Sequence, residues 1–414
     1  MVTAAAPLVR RINSLSDAEW ILRSVWGYSE FRRHQRRAVL AVLRGRDCLA
    51  ILPTGGGKSL CFQVPALGLP GVTLVVSPLI SLMQDQVAAL RTRQVAAAYL
   101  SSTQRPRVRQ AVQDAVGQGR VRLLYVAPER LSGLIEQVPR LRVSLLAVDE
   151  AHCISEWGHD FRPHYRTLGA QRRRLGKPPT IALTATATPQ TRRDIVAVLG
   201  LDRPVDIKQS FDRLNLYFAA REYDSDAARV SELTRQLKQT DGAAIVYTQT
   251  RNRTDGITTV LRRRGFNAAP YHAALPAAAR RALLRRFVTG RIRVMVATNA
   301  FGMGIDKPDV RLVAHLGVPL RPEAYFQEAG RAGRDGFPAR CEMFWTQGDL
   351  ALAANMVVEA PKATRRDSAT HAEAKRRGLA TMKRYIGTRG CRRRVLLEYL
   401  GDRLERCSGC DRCG

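Results

Sequence analysis

The sequence predicts an α/β protein: two parallel-sheet domains in tandem, followed by a small helical domain that carries a metal site. Three observations predict it. Short apolar runs alternate with longer amphipathic stretches through the first two hundred residues, and the rhythm restarts near Ala243. A glycine-rich loop follows the first of these runs. Four cysteines crowd the C-terminus.

The runs at 48–52, 72–77, 121–126, 144–149 and 180–185 read as strands of a first sheet. They are mostly apolar, as strands covered by helices on both faces are. A second set reads at 243–248, 266–271, 294–298 and 310–316, with a join near 210–221. Beyond Gly348 the pattern turns helical and basic, with helices expected at 349–358, 370–387 and 392–400. The expected division is 1–209, 210–347 and 348–414. No short-period repeat is visible, which excludes a solenoid.

The motif residues fall just after the strands, where doubly wound sheets place their ligands. Residues 49–59 end in Thr54-Gly55-Gly56-Gly57-Lys58-Ser59. Glycines let backbone N–H groups turn toward a phosphate, Lys58 supplies a charge for the β- and γ-phosphates, and Ser59 offers a hydroxyl to Mg²⁺. Leu52 stands where this loop pattern usually begins with glycine. Residues 145–152 form an apolar run ending in Asp149-Glu150-Ala151-His152. Asp149 suits a Mg²⁺ shell and Glu150 an attacking water. Residues 327–336 hold Arg331 and Arg334, expected on one helical face at i, i+3. A guanidinium there can neutralise charge on a nucleotide, as arginine fingers do.

The chain has 67 Lys and Arg against 36 Asp and Glu, a net charge of +31. That surplus favours a polyanion, with nucleic acid the first choice. Coding bias accounts for arginine over lysine better than for the scarcity of acids. No apolar run reaches membrane-spanning length, so a membrane role is not expected. The first residues lack a secretory apolar region, so a cytosolic setting is expected. Cys48, Cys61, Cys153 and Cys341 are scattered and read as reduced core thiols. Cys391, Cys407, Cys410 and Cys413 are clustered and read as a metal site.

These residues together resemble the RecQ-type DNA helicases of superfamily 2, over essentially the whole length. Residues 27–35 look like the family's adenine-recognising segment, which implies that Tyr28 stacks on the base and that Arg32 and Gln35 contact it. Residues 77–86 look like motif Ia, 182–188 like motif III with Thr184 and Thr186, 296–307 like motif V, and 327–336 like motif VI. Residues 151–163 resemble the family's aromatic-rich loop. Trp157 and Phe161 offer stacking faces for unpaired bases, with a core role as the alternative, and Arg162 offers a phosphate contact. The cysteine cluster matches the family's zinc-binding domain, which implies a closed, all-thiolate structural Zn²⁺ site. Its helix, opening Arg392-Arg393-Arg394, is expected to present basic side chains to DNA.

The resemblance implies two RecA-like motor domains with ATP·Mg²⁺ between them. It further implies three-prime to five-prime movement on single-stranded and forked DNA, in repair or recombination, with Arg334 favoured over Arg331 as the finger. Two departures stand out. Ala274 replaces a usual glycine in 271–275. The chain also stops at Gly414, where many members continue into a winged helix, so weak unwinding is expected. An RNA helicase, and an annealing or DNA-stimulated ATPase module with little unwinding, stay open as alternatives. Protein partners are unknown.

Overall fold

The computed structural model describes residues 12, 14–53, 55–139, 141–158, 160–302, 307–358 and 367–414. The chain divides into two compact units, Met1–Gln209 and Ser210–Gly414.

The first unit is built on seven strands: β1 (Cys48–Ile51), β2 (Val72–Val76), β3 (Ala97–Leu100), β4 (Leu123–Val126), β5 (Val143–Val148), β6 (Thr180–Thr184) and β7 (Val205–Lys208). Their order is β3-β4-β2-β5-β6-β1-β7, and all pairs are parallel. Every residue of β1, β2, β4 and β6 is buried, which explains their predominantly apolar character. The two strands that the sequence pattern did not reveal are the sheet's edges. β3 is four residues with two alanines, and β7 reads Val-Asp-Ile-Lys because only Ile207 is buried. Helices supply the core with Ala38, Val42, Phe62, Val64, Met83 and Val87.

One polar knot ties the end of this sheet remote from the motif loops. Arg172 donates two hydrogen bonds to the Asp47 carboxylate, at 2.7 and 2.8 Å. Asp47 also accepts from the Thr180 and Asp202 amides. The pair links the starts of β1 and β6. Removing one partner of such a buried pair costs about 3–5 kcal/mol, because the other charge is left uncompensated.

The second unit has six parallel strands: β8 (Leu216–Glu222), β9 (Ala243–Thr248), β10 (Ala268–Tyr271), β11 (Val294–Ala297), β12 (Val310–Leu316) and β13 (Ala339–Trp345). Their order is β10-β11-β9-β12-β13-β8. β8 and β13 escaped the sequence pattern. β8 lies in the stretch read as the join, and β13 is interrupted by Arg340 and Glu342. Those two side chains pair with each other.

The helical C-terminal region is part of this second unit. Its helices are Gln347–Val358, Asp367–Gly387 and Arg392–Tyr399. Tyr325 and Tyr385 hydroxyls meet at 2.9 Å inside it. The last loop runs beside β8: the Asp411 amide donates to the Phe218 carbonyl at 3.0 Å, and Cys410 forms a parallel bridge with Phe218. The cysteine loop therefore caps an otherwise open sheet edge. Cys48, Cys61, Cys153 and Cys341 are all buried, as expected of core thiols.

Candidate functional site

The glycine-rich loop leaves β1 and leads into the helix Leu60–Ala66. Gly55 and Gly57 have φ of +81° and +70°, a region that side chains disfavour. A Cβ on Gly57 would lie 2.2 Å from Gln35 Nε2 and would push that amide off the loop, a second reason for glycine there. Gln35 Nε2 donates to the Gly56 and Gly57 carbonyls at 3.1 and 3.3 Å, and Arg32 donates to the Gly55 carbonyl at 3.1 Å. Gln35 Oε1 accepts from the Arg32 amide at 2.9 Å, closing the arrangement. The segment expected to read the base thus also braces the phosphate loop. Tyr28 is 57% exposed, its ring open to a stacking partner. Thr54 lies outside the described residues.

Lys58 Nζ donates to the Leu52 carbonyl at 3.2 Å. Leu52 is fully buried. Its side chain belongs to the core and only its carbonyl faces the loop, so the missing first glycine leaves the lysine's seat intact.

Asp149 and Glu150 follow β5, which pairs with β2 and β6. Burial first, then the neighbouring Glu150, push the Asp149 carboxyl up to about 7, while Lys58 pulls it down. Glu150 adopts φ +47°, ψ +46°, left-handed for a residue with a side chain. Such strain persists only where surrounding structure enforces it, and it concentrates at functional sites. A buried carboxyl held above its ordinary range, close enough to a lysine to feel it, is a donor that a divalent cation would return to the ionised form. Asp149 therefore fits Mg²⁺ as a donor.

A residue that the sequence reading did not assign a role joins this site. His152 Nδ1 lies 3.2 Å from Glu150 Oε2 and 2.9 Å from Thr184 Oγ1. Thr184 donates to the Thr186 carbonyl at 3.0 Å. Burial opposes charge on His152, but Cys153 and Glu150 outweigh it and hold the imidazole above its ordinary range. Thr184 and Thr186 are both buried. Thr184, hydrogen-bonded to both His152 and Thr186, connects the β6 end to the residue beside the acid. A histidine two residues after the acid was the available signal, but only the pairing of β5 with β6 shows what it reaches.

The loop at 155–162 continues from the same turn. Trp157 and Phe161 are half-buried. The Trp157 amide donates to Ser155 Oγ at 3.2 Å. Arg162 donates to Asp160 Oδ2 at 3.0 and 3.1 Å and to the Pro78 carbonyl at 2.8 Å. It is the brace between the loop and the end of β2 in this structure.

Arg331 and Arg334 do not share a helical face. The preceding helix ends at Ala329, and both arginines lie in the turns that follow. Gly330 and Gly333 break the helix, with Gly333 at φ +51°. The Gly333 carbonyl accepts from Asn215 at 2.8 Å. Arg331 is buried, near enough to Tyr247 for its charge to act on that hydroxyl, while Arg334 is half-buried. Motif V is described only to Gly302 and from Lys307 onward.

The sulfurs of Cys391, Cys407, Cys410 and Cys413 lie within 4.8 Å of one another. Tetrahedral zinc with Zn–S near 2.3 Å needs sulfurs about 3.8 Å apart, so the set fits. Burial alone would raise the Cys410 thiol, but the amides of Arg412 and Arg392 and the neighbouring thiols bring it down to about 7. Burial and the neighbouring cysteines push Cys407 and Cys413 up to about 11 and about 12. Thiolates this close repel, and a divalent cation relieves that repulsion.

The basic run beside the cysteines is not a DNA-facing surface. Arg392 and Arg393 are 0% and 1% exposed. Arg392 pairs with Asp411 and donates to the Ala220 carbonyl at 2.9 Å. Arg393 pairs with Asp212 and donates to the Arg213 carbonyl at 2.8 Å. Only Arg394 is exposed. The helix packs against β8, and two arginines at its start are drawn to the acids and carbonyls along that edge.

Among the described residues no helix is long and apolar enough to cross a membrane. Two parallel sheets, a braced phosphate loop and a strand-end acid pair define the class of nucleotide-driven helicase cores. Residues 32–195 match the DEAD/DEAH box helicase family and residues 227–336 the helicase conserved C-terminal domain. Residues 347–414 match the RecQ zinc-binding family. The chain is 40% identical over 411 residues to the ATP-dependent DNA helicase RecQ of Haemophilus influenzae, covering 99% of this chain and 65% of that protein. It is 44% identical over 338 residues to the RecQ helicase of Synechocystis, covering 79% of this chain and 70% of the relative. The chain belongs to the RecQ family. It spans 65% and 61% of the Haemophilus influenzae and Pasteurella multocida relatives. Among solved structures, Mycobacterium smegmatis helicase Lhr bound to ssDNA and AMP-PNP aligns with TM-score 0.64 at 22% identity, over 82% of this chain and 49% of that one. S. cerevisiae Dbp5 bound to RNA and ADP BeF3 aligns with TM-score 0.64 at 16% identity, over 89% and 100%. These two likenesses show the fold.

Proposed function

We propose that this protein is an ATP-dependent DNA helicase of RecQ type, moving three-prime to five-prime on single-stranded DNA and opening forked duplexes in repair or recombination. The observation that carries the reading is the linked path from Lys58 and Asp149 through Glu150 and His152 to Thr184, with the aromatic loop continuing from the same turn. It joins a phosphate site to a base-stacking segment within one unit.

In this reading Tyr28, Arg32 and Gln35 hold the base, and Gly55, Gly56, Gly57 and Lys58 hold the phosphates, with Thr54 beside them. Mg²⁺, held by Ser59 and Asp149, would neutralise phosphate charge. Glu150 orients the attacking water, and Arg334, with Arg331 the second choice, completes the charge neutralisation. Catalysis is positioning and electrostatics rather than covalent chemistry. A strand stacking on Trp157 or Phe161 pulls on Arg162 and on 152–155, which shifts His152 and with it Glu150. Zn²⁺ on the four cysteines is structural. The division 1–209, 210–347 and 348–414 is the functional one, and the bacterial cytosol the setting.

The test is ATP-driven opening of a short forked duplex with a three-prime tail, beside ATPase rates with single-stranded DNA and with RNA. The reading expects DNA stimulation and tail-dependent opening. Equal stimulation by RNA would replace it with an RNA helicase. Stimulation without opening would reduce it to a translocase or annealing module.

A further inference from the structure

The second unit carries a surface that this motor chemistry does not use. Residues 256–302 contain nine arginines and no lysine, aspartate or glutamate. They run from the helix Arg251–Arg263 through β10 and the helix Ala277–Val288 into β11. The β9-to-β10 and β10-to-β11 connections cross the sheet in opposite directions, so right-handed crossovers set the two helices on opposite faces. Between them β10 is the sheet edge. The helices run antiparallel to the strands. Arg263, Arg285, Arg286 and Arg291 therefore gather at the strands' N-terminal end, away from the loops after β10 and β11. A groove of 480 Å³, lined by Arg262, Phe266, Leu283, Arg286 and Ile292 among others, lies over this edge.

Arg263, Arg281, Arg285, Arg286 and Arg291 are exposed. Among the described residues their side chains have no hydrogen-bond or ion-pair partner. A helix C-terminus favours a cation in its last turn. That accounts for part of the charge, but not for Arg281 or Arg291, nor for the lack of a single carboxylate along the segment.

We propose that this edge binds the phosphate backbone of double-stranded DNA, a second DNA contact beside the single-strand path. The proposal rests on the DNA-motor reading above. Single strands are held by aromatic platforms, and this surface has none: Phe266 and Phe287 are buried. Duplex backbone needs only cations set on phosphates, which guanidinium groups meet in bidentate geometry. An acidic protein surface is the competing occupant.

The test uses the full chain and a charge-reversed variant, Arg263→Glu, Arg281→Glu, Arg285→Glu and Arg291→Glu. Fluorescence anisotropy on a short labelled blunt duplex is followed across a salt series, with thermal melting as a fold check. The variant should bind duplex at least about tenfold more weakly at physiological salt, and its salt slope should fall by about 3–4. ATPase at saturating single-stranded DNA should be retained. The neutral variant, with glutamine at the same positions, should show a smaller loss and guards against misfolding of the reversed one. Unchanged duplex affinity and slope in folded variants overturns the proposal. So does a loss confined to polyglutamate binding, which would assign the edge to an acidic protein. A wild-type chain that single-stranded DNA does not stimulate would instead refute the motor reading itself.

Discussion

Asp149 and Arg392 are both buried ionisable groups, one at the end of β5 and one beside β8, and their surroundings treat them in opposite ways. Asp149 shares its pocket with Glu150, which adds to burial in raising the Asp149 carboxyl, while Lys58 and His152 pull it down. Arg392 meets the Asp411 carboxylate and the carbonyls of Tyr385, Ile386 and Ala220. The first charge is left for a ligand to complete, and the second is completed by the fold. Burial therefore does not by itself separate function from architecture. What separates them is whether the partner charge is already in the chain.

The largest effects should fall on turnover, not stability, in the first region. Lys58→Ala and Glu150→Gln should each lower DNA-stimulated ATPase by about 10²-fold or more, with Glu150→Gln still binding nucleotide. Near-normal turnover in Glu150→Gln would break the assignment of that acid. Asp149→Asn should abolish turnover too, yet raise the melting temperature of the ligand-free chain. The sign follows from a carboxyl whose folded pKa is raised from 3.8 to about 7. Its ionisation is opposed in the fold, so its contribution to stability is lost as pH rises through that window. The gain should be on the order of 4 kcal/mol at neutral pH and shrink toward zero near pH 4. A melting temperature that falls at neutral pH would show the charge is already compensated.

The second region should respond the other way. Arg392→Ala should destabilise the second unit by about 3–5 kcal/mol, read by denaturant melts, because it strands Asp411 and three carbonyls. Stripping zinc with a chelator, or Cys410→Ser, should loosen the same corner, with about one zinc per chain found beforehand by elemental analysis. Soluble, fully active protein without zinc would refute the site.

Smaller still should be the coupling effect. Arg162→Ala and Trp157→Ala should leave ATPase without DNA largely in place and reduce its stimulation by single-stranded DNA several-fold. Full stimulation in both would make the loop structural. At the bottom of the scale, Arg394→Ala should change stability by less than about 0.5 kcal/mol, although it adjoins Arg392 and Arg393 in the chain.

That last contrast marks how far the sequence could be read. Residues 392–394 are three arginines in a row, and so are 262–264. In the first run two are buried and in the second all three are exposed. A charge run carries no information about the acids that tertiary packing will bring to it. Arg331 and Arg334 teach the same at shorter range: their spacing suggested a helix face, but the glycines around them turned the chain.

The sequence by itself determined the parallel-sheet class, the central strands, the phosphate loop, the acid pair and the cysteine set. Each is written in local order: a mostly apolar run, glycines before a lysine, or cysteines with two residues between them. Only the tertiary structure decided the edge strands, the bracing of the loop by Arg32 and Gln35, the relay through His152 to Thr184, and which arginines face water. Those depend on residues far apart in the chain meeting across strands, and the partner of a charge is set by packing, not by its neighbours in sequence.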